Sequence, residues 1–343
     1  MKLFMAAAVA LGALLLGLVL RETDLAEVWG YLSSLGASGI AAILGIYLVA
    51  FVFEVLSWQL TLSSVPLTPR WLYRLFKVLL FGVALERVTP LAGLGGEPIK
   101  ALVLKRHHGV PYGEGTASLV LTRMTDVLAL VVFITIGLCL VLSEDVLPGP
   151  YQAAAVAGLA LLVVNTSLFF AVQRYRAFSR IRGWIERRLG PRLGSSLVGV
   201  LDAIHAVEDR LVEFYTAQPL RFVASVAATF CEWMLGAVAA YVALDLLGRP
   251  VSFADAIVIE ASTLLFISTF FFVPGDLGTQ EVAIVAITEG ITGSSELGLA
   301  LAAIRRAVDL LWIGWGLAVG SSYSVRRAEL VAAAREAAPD RAR

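Results

Sequence analysis

Residues 90–97 read Pro-Leu-Ala-Gly-Leu-Gly-Gly-Glu, and they interrupt an apolar run that extends from 71 to 104. Proline removes a backbone donor and glycine admits tight turns, so this stretch breaks a helix that the flanking residues otherwise favour. A second apolar run, 253 to 287, is interrupted in the same way by Pro274-Gly-Asp-Leu-Gly. Gly93, Gly95, Gly96, Gly275 and Gly278 let the backbone turn and approach closely at the two breaks. Whether these runs cross a membrane or fold back within it decides the architecture.

Around them lie six uninterrupted runs, at 3–20, 40–62, 116–142, 151–172, 220–244 and 297–321. Each approaches the roughly 20 apolar residues that a bilayer core requires. The first is longer than a signal-peptide core and ends in Val-Leu-Arg-Glu with no small-residue cleavage site, so it is read as a retained span. Hydrophobic residues make up 59% of the chain and mean hydropathy is +0.83, so bilayer rather than water is the expected solvent. The 27 basic and 27 acidic residues cancel, and only their positions are informative. Cys139 and Cys231 lie inside apolar runs with neither disulfide nor metal-ligand spacing.

Basic loops stay on the cytoplasmic side. Arg21, Glu22, Asp24 and Glu27 place the first loop outside, whereas Arg70, Arg74 and Lys77 place the second inside. Lys100, Lys105 and Arg106 then follow the first broken run and are also expected inside, so that run must enter from the cytoplasm and return. After the acidic Glu144-Asp145 loop, the arginine-rich stretch beginning at Arg174 lies inside. The tail with Arg326 and Arg327 lies inside only if the second broken run is a hairpin entering from the outer side. The expected fold is an all-α integral membrane protein with six spanning helices and two re-entrant helical hairpins, both termini cytoplasmic. The segment 174–216 interleaves arginine with Phe178, Ile181, Trp184, Ile185 and Leu189, which suits a helix in the inner headgroup region or an ordinary connecting helix.

The two halves, 1–146 and 147–343, repeat one pattern. Glu54 precedes the first break and Glu232 the second. A glutamate falls seven residues after each proline (90 to 97, 274 to 281), and an arginine follows that glutamate by 26 or 25 residues (97 to 123, 281 to 306). Each arginine precedes an aspartate by three, giving Arg123–Asp126 and Arg306–Asp309. The halves run through the membrane in opposite directions, so this is an inverted-topology repeat, the construction of many secondary transporters.

An ionisable side chain within a span costs about 2.5–3.5 kcal/mol. Glu54, Arg123, Asp126, Glu232, Glu260, Arg306 and Asp309 fall within runs, and Glu86, Arg87, Glu97 and Glu281 within the broken regions. Such a set must face the protein interior or water. Each Arg-x-x-Asp pair shares one helix face, either as a structural ion pair or as a donor fork for a phosphate steadied by its aspartate. Arg305 has no counterpart and is expected near the outer surface. Glu97 and Glu281 open the returning arms, where they either cap a helix N-terminus or, with Gly95, Gly96 and Gly278, build a midplane site for an anionic group. Thr279 is the expected N-cap of the second arm. Glu54 and Glu232 are expected to partner arginines, and they stand with Glu86 and Glu260 as coupling or structural carboxylates. His107 and His108 are read as solvated. No nucleotide loop, catalytic elbow or metal motif is present, so neither cofactor, metal nor nucleic acid is expected.

The stretch Pro90 to Lys100, then His-Gly-Val at 108–110 and Leu-Thr-Arg-Met-Thr-Asp ending at Asp126, resembles the flippase-like transmembrane domain of bacterial lysylphosphatidylglycerol synthases. Phe272-Val-Pro-Gly-Asp-Leu-Gly-Thr-Gln-Glu281 and Arg305-Arg-Ala-Val-Asp309 resemble its second signature. A membrane protein associated with hopanoid biosynthesis is similar in the same way. The resemblance implies a flippase fold. Synthases carry an aminoacyl-transfer domain after the membrane part, and this chain ends about 20 residues past its last run, so lipid aminoacylation is not expected.

The expectation is therefore a non-enzymatic lipid translocator of the inner (cytoplasmic) membrane. Its substrate would be an anionic phospholipid, glycolipid or isoprenoid lipid, bound by Arg123, Arg306, Glu97, Glu281, Asp126 and Asp309. The alternative is a scaffold that presents lipid to a separate enzyme. A homo-oligomer stays open.

Overall fold

The computed structural model describes residues 24–88, 96–143, 216–270, 273 and 276–323, together with Arg21, Phe214 and scattered positions between 153 and 167. The expected spans at 3–20 and 151–172 and the basic segment 174–216 lie wholly or largely outside these residues, as do Pro90, Gly93, Gly95, Pro274 and Gly275. Every regular element among the described residues is an α-helix. In chain order they are α1 (Leu25–Ser34), α2 (Gly36–Thr61), α3 (Pro69–Val88), α4 (Gly96–His108), α5 (Tyr112–Ser143), α6 (Pro219–Leu246), α7 (Phe253–Thr269), α8 (Thr279–Thr292) and α9 (Ser295–Gly320).

Local chemistry sets the ends. The Asp24 carboxylate accepts from the N–H groups of Ala26 and Glu27 and starts α1, a helix the sequence reading took for a loop. Ser252 and Asp255 form a reciprocal capping box on α7, and Ser294 accepts from the Leu297 N–H at the start of α9. Gly293, with φ of +75°, closes α8 in the left-handed conformation that only glycine adopts freely.

Helices α2, α5 and α6, of 26, 32 and 28 residues, are long and apolar enough to cross a membrane. Their outward faces expose Val49, Val132 and Val223 at 47%, 48% and 61%. Apolar side chains in such numbers on the outside of long helices identify the solvent as lipid, so the protein is membrane-embedded. Helix α9 has the length to span but carries Arg305, Arg306 and Asp309 in its middle. Each broken run forms two helices, α3–α4 and α7–α8, separated at its proline–glycine stretch.

Packing is reciprocal between the helices before and after residue 150. Helix α2 packs along α6, α3 packs on α9, and α7 on α5. Exchanging α2–α5 for α6–α9 turns the second of these contacts into the third. Small residues allow the close approach: a Cβ at Gly137 of α5 would collide with Ala261 of α7, and one at Gly316 of α9 with Leu80 and Ala84 of α3. One apolar core surrounds α3 and α4 (Val55, Leu75, Leu80, Ala101, Leu104) and another surrounds α8 (Ala243, Ala283, Ile284, Leu297, Ala300). Buried polar bonds join α2 to α5 and α6. Trp58 is buried and donates its indole N–H to Ser118 at 3.0 Å, while Ser57 of α2 bonds Ser225 and Thr229 of α6 at 2.9 Å each.

Candidate functional site

The charged residues of the repeat converge into two similar groups. In the first, Arg123 of α5 donates through Nη2 to Glu97 of α4 at 3.1 Å and to Glu86 of α3 at 3.3 Å, and its Nη1 lies 3.5 Å from Asp126. In the second, Arg306 of α9 donates through Nε to Glu281 of α8 at 2.7 Å, and its Nη1 lies 3.8 Å from Asp309. Each arginine thus joins the helix-opening glutamate of a hairpin to an aspartate one turn along its own helix.

The glutamates also organise the breaks. Glu281 accepts the Gly278 N–H at 2.8 Å through its second oxygen, so one carboxylate fixes both the helix start and the arginine. Gly278, at φ +79°, is the N-cap, and Thr279 occupies the first helical position instead of capping it. Gly96 serves contact between hairpin arms, since a Cβ there would lie 2.6 Å from the Gly82 carbonyl. Both glycines thus shape the backbone at the breaks.

Several charges depart from expectation. Arg305 is not an outer-surface residue: it meets Glu260 in a two-pronged pair of 2.6 and 2.8 Å, and Glu260 is only 2% exposed. Lys100, read as a cytoplasmic loop charge, is buried in α4, 3.1 Å from Glu97 and 3.7 Å from Glu86. Arg87 of α3 bridges to Asp309 of α9 at 2.9 Å and so connects the two groups. Helical spacing foretells only Lys100–Glu97, three residues apart on α4; the other partners lie on helices distant in sequence.

Between the groups lies a cavity of about 660 Å³, within the usual range for small-molecule sites. Helices from before and after residue 150 form its wall. Seven carboxylates and three arginines line it. Arg87, Arg123 and Arg305 are each held by an acid, whereas Glu54 of α2 and Glu232 of α6 make no hydrogen bond or ion pair among the described residues. The expectation that these two partner arginines is corrected. They face the cavity beside Asp126, which accepts weakly from Thr229 at 3.4 Å. Arg123 is the most open of the charged groups, with 56% of its side chain exposed, whereas Arg306 and Glu281 stand behind the wall. Gln280 also lines the cavity, buried, with its amide nitrogen unpartnered among the described residues.

No solved structure matches the chain. A membrane protein of Methanothermobacter thermautotrophicus, described as a UPF0104 membrane protein, is 26% identical over 273 residues, covering 75% of this chain and 77% of that protein. The family described as the lysylphosphatidylglycerol synthase TM region matches residues 5–316, nearly the whole sequence, including both hairpins and both Arg-x-x-Asp helices. The chain belongs to that family, the lysylphosphatidylglycerol synthase transmembrane region.

Proposed function

We propose that the protein translocates a lipid across the cytoplasmic membrane, moving a phosphate-bearing headgroup through the cavity while the tails stay in the bilayer. The observation that carries this reading is the cavity itself. It lies where two similarly wired Arg–Glu–Asp groups meet, and it offers an accessible guanidinium and unpaired carboxylates within an apolar body. A guanidinium is suited to a phosphate, and Arg123 keeps donors free for it. The excess of acids over bases weighs against a bare phosphate. It favours a headgroup whose phosphate travels with a compensating cation, either a proton on Glu54 or Glu232 or an amine on the lipid.

In this reading residues 1–146 and 147–343 are inverted repeats. Helices α2, α5, α6 and α9 cross the bilayer together with spans at 3–20 and 151–172, α3–α4 is a hairpin open to the cytoplasm, and α7–α8 is one open to the outside. Both termini are cytoplasmic. The reciprocal packing of α3 on α9 and α7 on α5 supports alternating access to one central site. The protein acts without catalysis of its own.

Reconstitution tests this. Vesicles containing the purified chain should bring outer-leaflet labelled lipid into exchange with the inner leaflet faster than empty vesicles. The panel should include phosphatidylglycerol, phosphatidylethanolamine and an isoprenoid phosphate, each assayed with and without imposed pH and ion gradients. Retention of lipid by the purified protein without any flux would support the scaffold role instead.

A further inference from the structure

We propose that Arg74, Lys77 and His108 form a second anion site, separate from the cavity, that binds a phosphate group. Three helix ends meet there. The ring of Trp71 at the start of α3 lies 5.9 Å from that of His108 at the end of α4, and the ring of His107 lies 4.9 Å from Tyr323, just beyond α9. Arg74 stands over the Trp71 ring at 4.8 Å, and Lys77 over the Tyr73 ring at 4.7 Å.

The contrast with the interior carries the argument. Arg87, Lys100, Arg123, Arg305 and Arg306 each meet a carboxylate, whereas Arg74 and Lys77 meet none among the described residues. The first turn of α3 holds no acidic residue, so nothing there offsets the positive end of its dipole. His108 is half-buried, and its Nε2 is enclosed without a hydrogen-bond partner. The groups that act on it electrostatically are Arg74, His107 and Lys77, all basic. Burial first, and these charges next, hold its imidazole below the ordinary histidine value. Buried polar atoms ordinarily have partners, and a cluster of cations ordinarily has counter-charge.

A phosphate supplies both. A guanidinium stacked on an aromatic face keeps its in-plane N–H fork free, and phosphate oxygens accept from that fork, from an ammonium and from an imidazole N–H together. Trp71 and the 63%-exposed Tyr73 are of the residue types enriched at the membrane–water interface, the depth of a phospholipid phosphate. Phosphate from a lipid and free phosphate share this chemistry. The site does not depend on the cavity or on transport.

The test follows the His108 imidazole by NMR in the full chain, labelled at histidine and held in a neutral detergent. Short-chain phosphatidylglycerol, inorganic phosphate and a short-chain diacylglycerol are titrated in separately. Phosphatidylglycerol is expected to raise the His108 titration midpoint by about one unit, the scale of an added neighbouring anion. The response should require at least tenfold more lipid in Arg74→Gln/Lys77→Gln. An equal response to inorganic phosphate at the same concentration assigns the site to soluble phosphate, and a response to the lipid alone assigns it to the membrane. A His108 that ignores both phosphate ligands, or that answers diacylglycerol equally, overturns the proposal. The wild-type titration decides this even if the double variant does not fold.

Discussion

Arg87 of α3 and Asp309 of α9 lie 2.9 Å apart, and this ion pair ties α3 to the second Arg-x-x-Asp helix. Asp309 also faces Arg306 at 3.8 Å, so one carboxylate serves two arginines from different helices. Arg87→Gln is expected to loosen α3 on α9 and lower the thermal midpoint in detergent. Asp309→Asn should cost more, because it removes the shared counter-charge of both cations.

Arg305 and Glu260 make the most enclosed ion pair of the described residues that line the cavity. Removing one partner of a buried pair costs about 3–5 kcal/mol, whereas replacing both with apolar groups of similar size is often neutral. Glu260→Gln or Arg305→Met alone should therefore unfold at markedly lower temperature, and Glu260→Met/Arg305→Met should recover most of the loss. Equal stability of the single variants and the wild type would show that the pair is open to water.

Arg123 and Arg306 occupy like positions but differ in exposure, 56% against 22% of the side chain. Arg306→Gln is expected to lower stability by about 3 kcal/mol, because Glu281 is left without its cation. Adding Glu281→Gln should restore much of it. Arg123→Gln should change stability less and lipid flux more, which separates the structural arginine from the one that meets substrate.

Glu54 and Glu232 have no hydrogen-bond or ion-pair partners among the described residues to lose. Glu54→Gln/Glu232→Gln should keep or raise the thermal midpoint while reducing flux at least tenfold and removing its response to an imposed pH gradient. Unchanged flux in the folded double variant would take both carboxylates out of the cycle.

His108 provides the pH dependence. Its folded midpoint lies below the unfolded value of about 6.5, so between those two values the unfolded chain binds more protons than the folded one. Its effect on stability is absent above pH 6.5, grows as pH falls towards the folded midpoint, and levels off below it. The thermal midpoint should fall on acidification through that window, and His108→Gln should reduce the fall.

The apolar runs and their breaks revealed most of the helices, because length and hydropathy are local properties. Two copies of one spacing marked Glu97, Arg123 and Asp126, and Glu281, Arg306 and Asp309, as two sets, but the Glu97–Arg123 and Glu281–Arg306 contacts within them were not legible, because the glutamates were read as helix caps or an anion site. Lys100 was misread because counting basic residues assigns a side of the membrane without regard to burial. Arg305 was misread because only packing shows that Glu260, 45 residues earlier, comes to face it. The short helix α1 escaped although Leu25, Val28, Trp29 and Leu32 fall at helical spacing, because the charges around its cap, Asp24, were weighed only for the side of the membrane they mark.

The central claim is tested most directly by the rate at which labelled phospholipid crosses vesicle membranes that hold equal amounts of folded wild-type or Arg123→Gln protein. The account predicts flux well above empty vesicles for the wild type and at least a tenfold loss for the variant. Wild-type flux no faster than in protein-free vesicles, for every lipid and gradient tried, would contradict it.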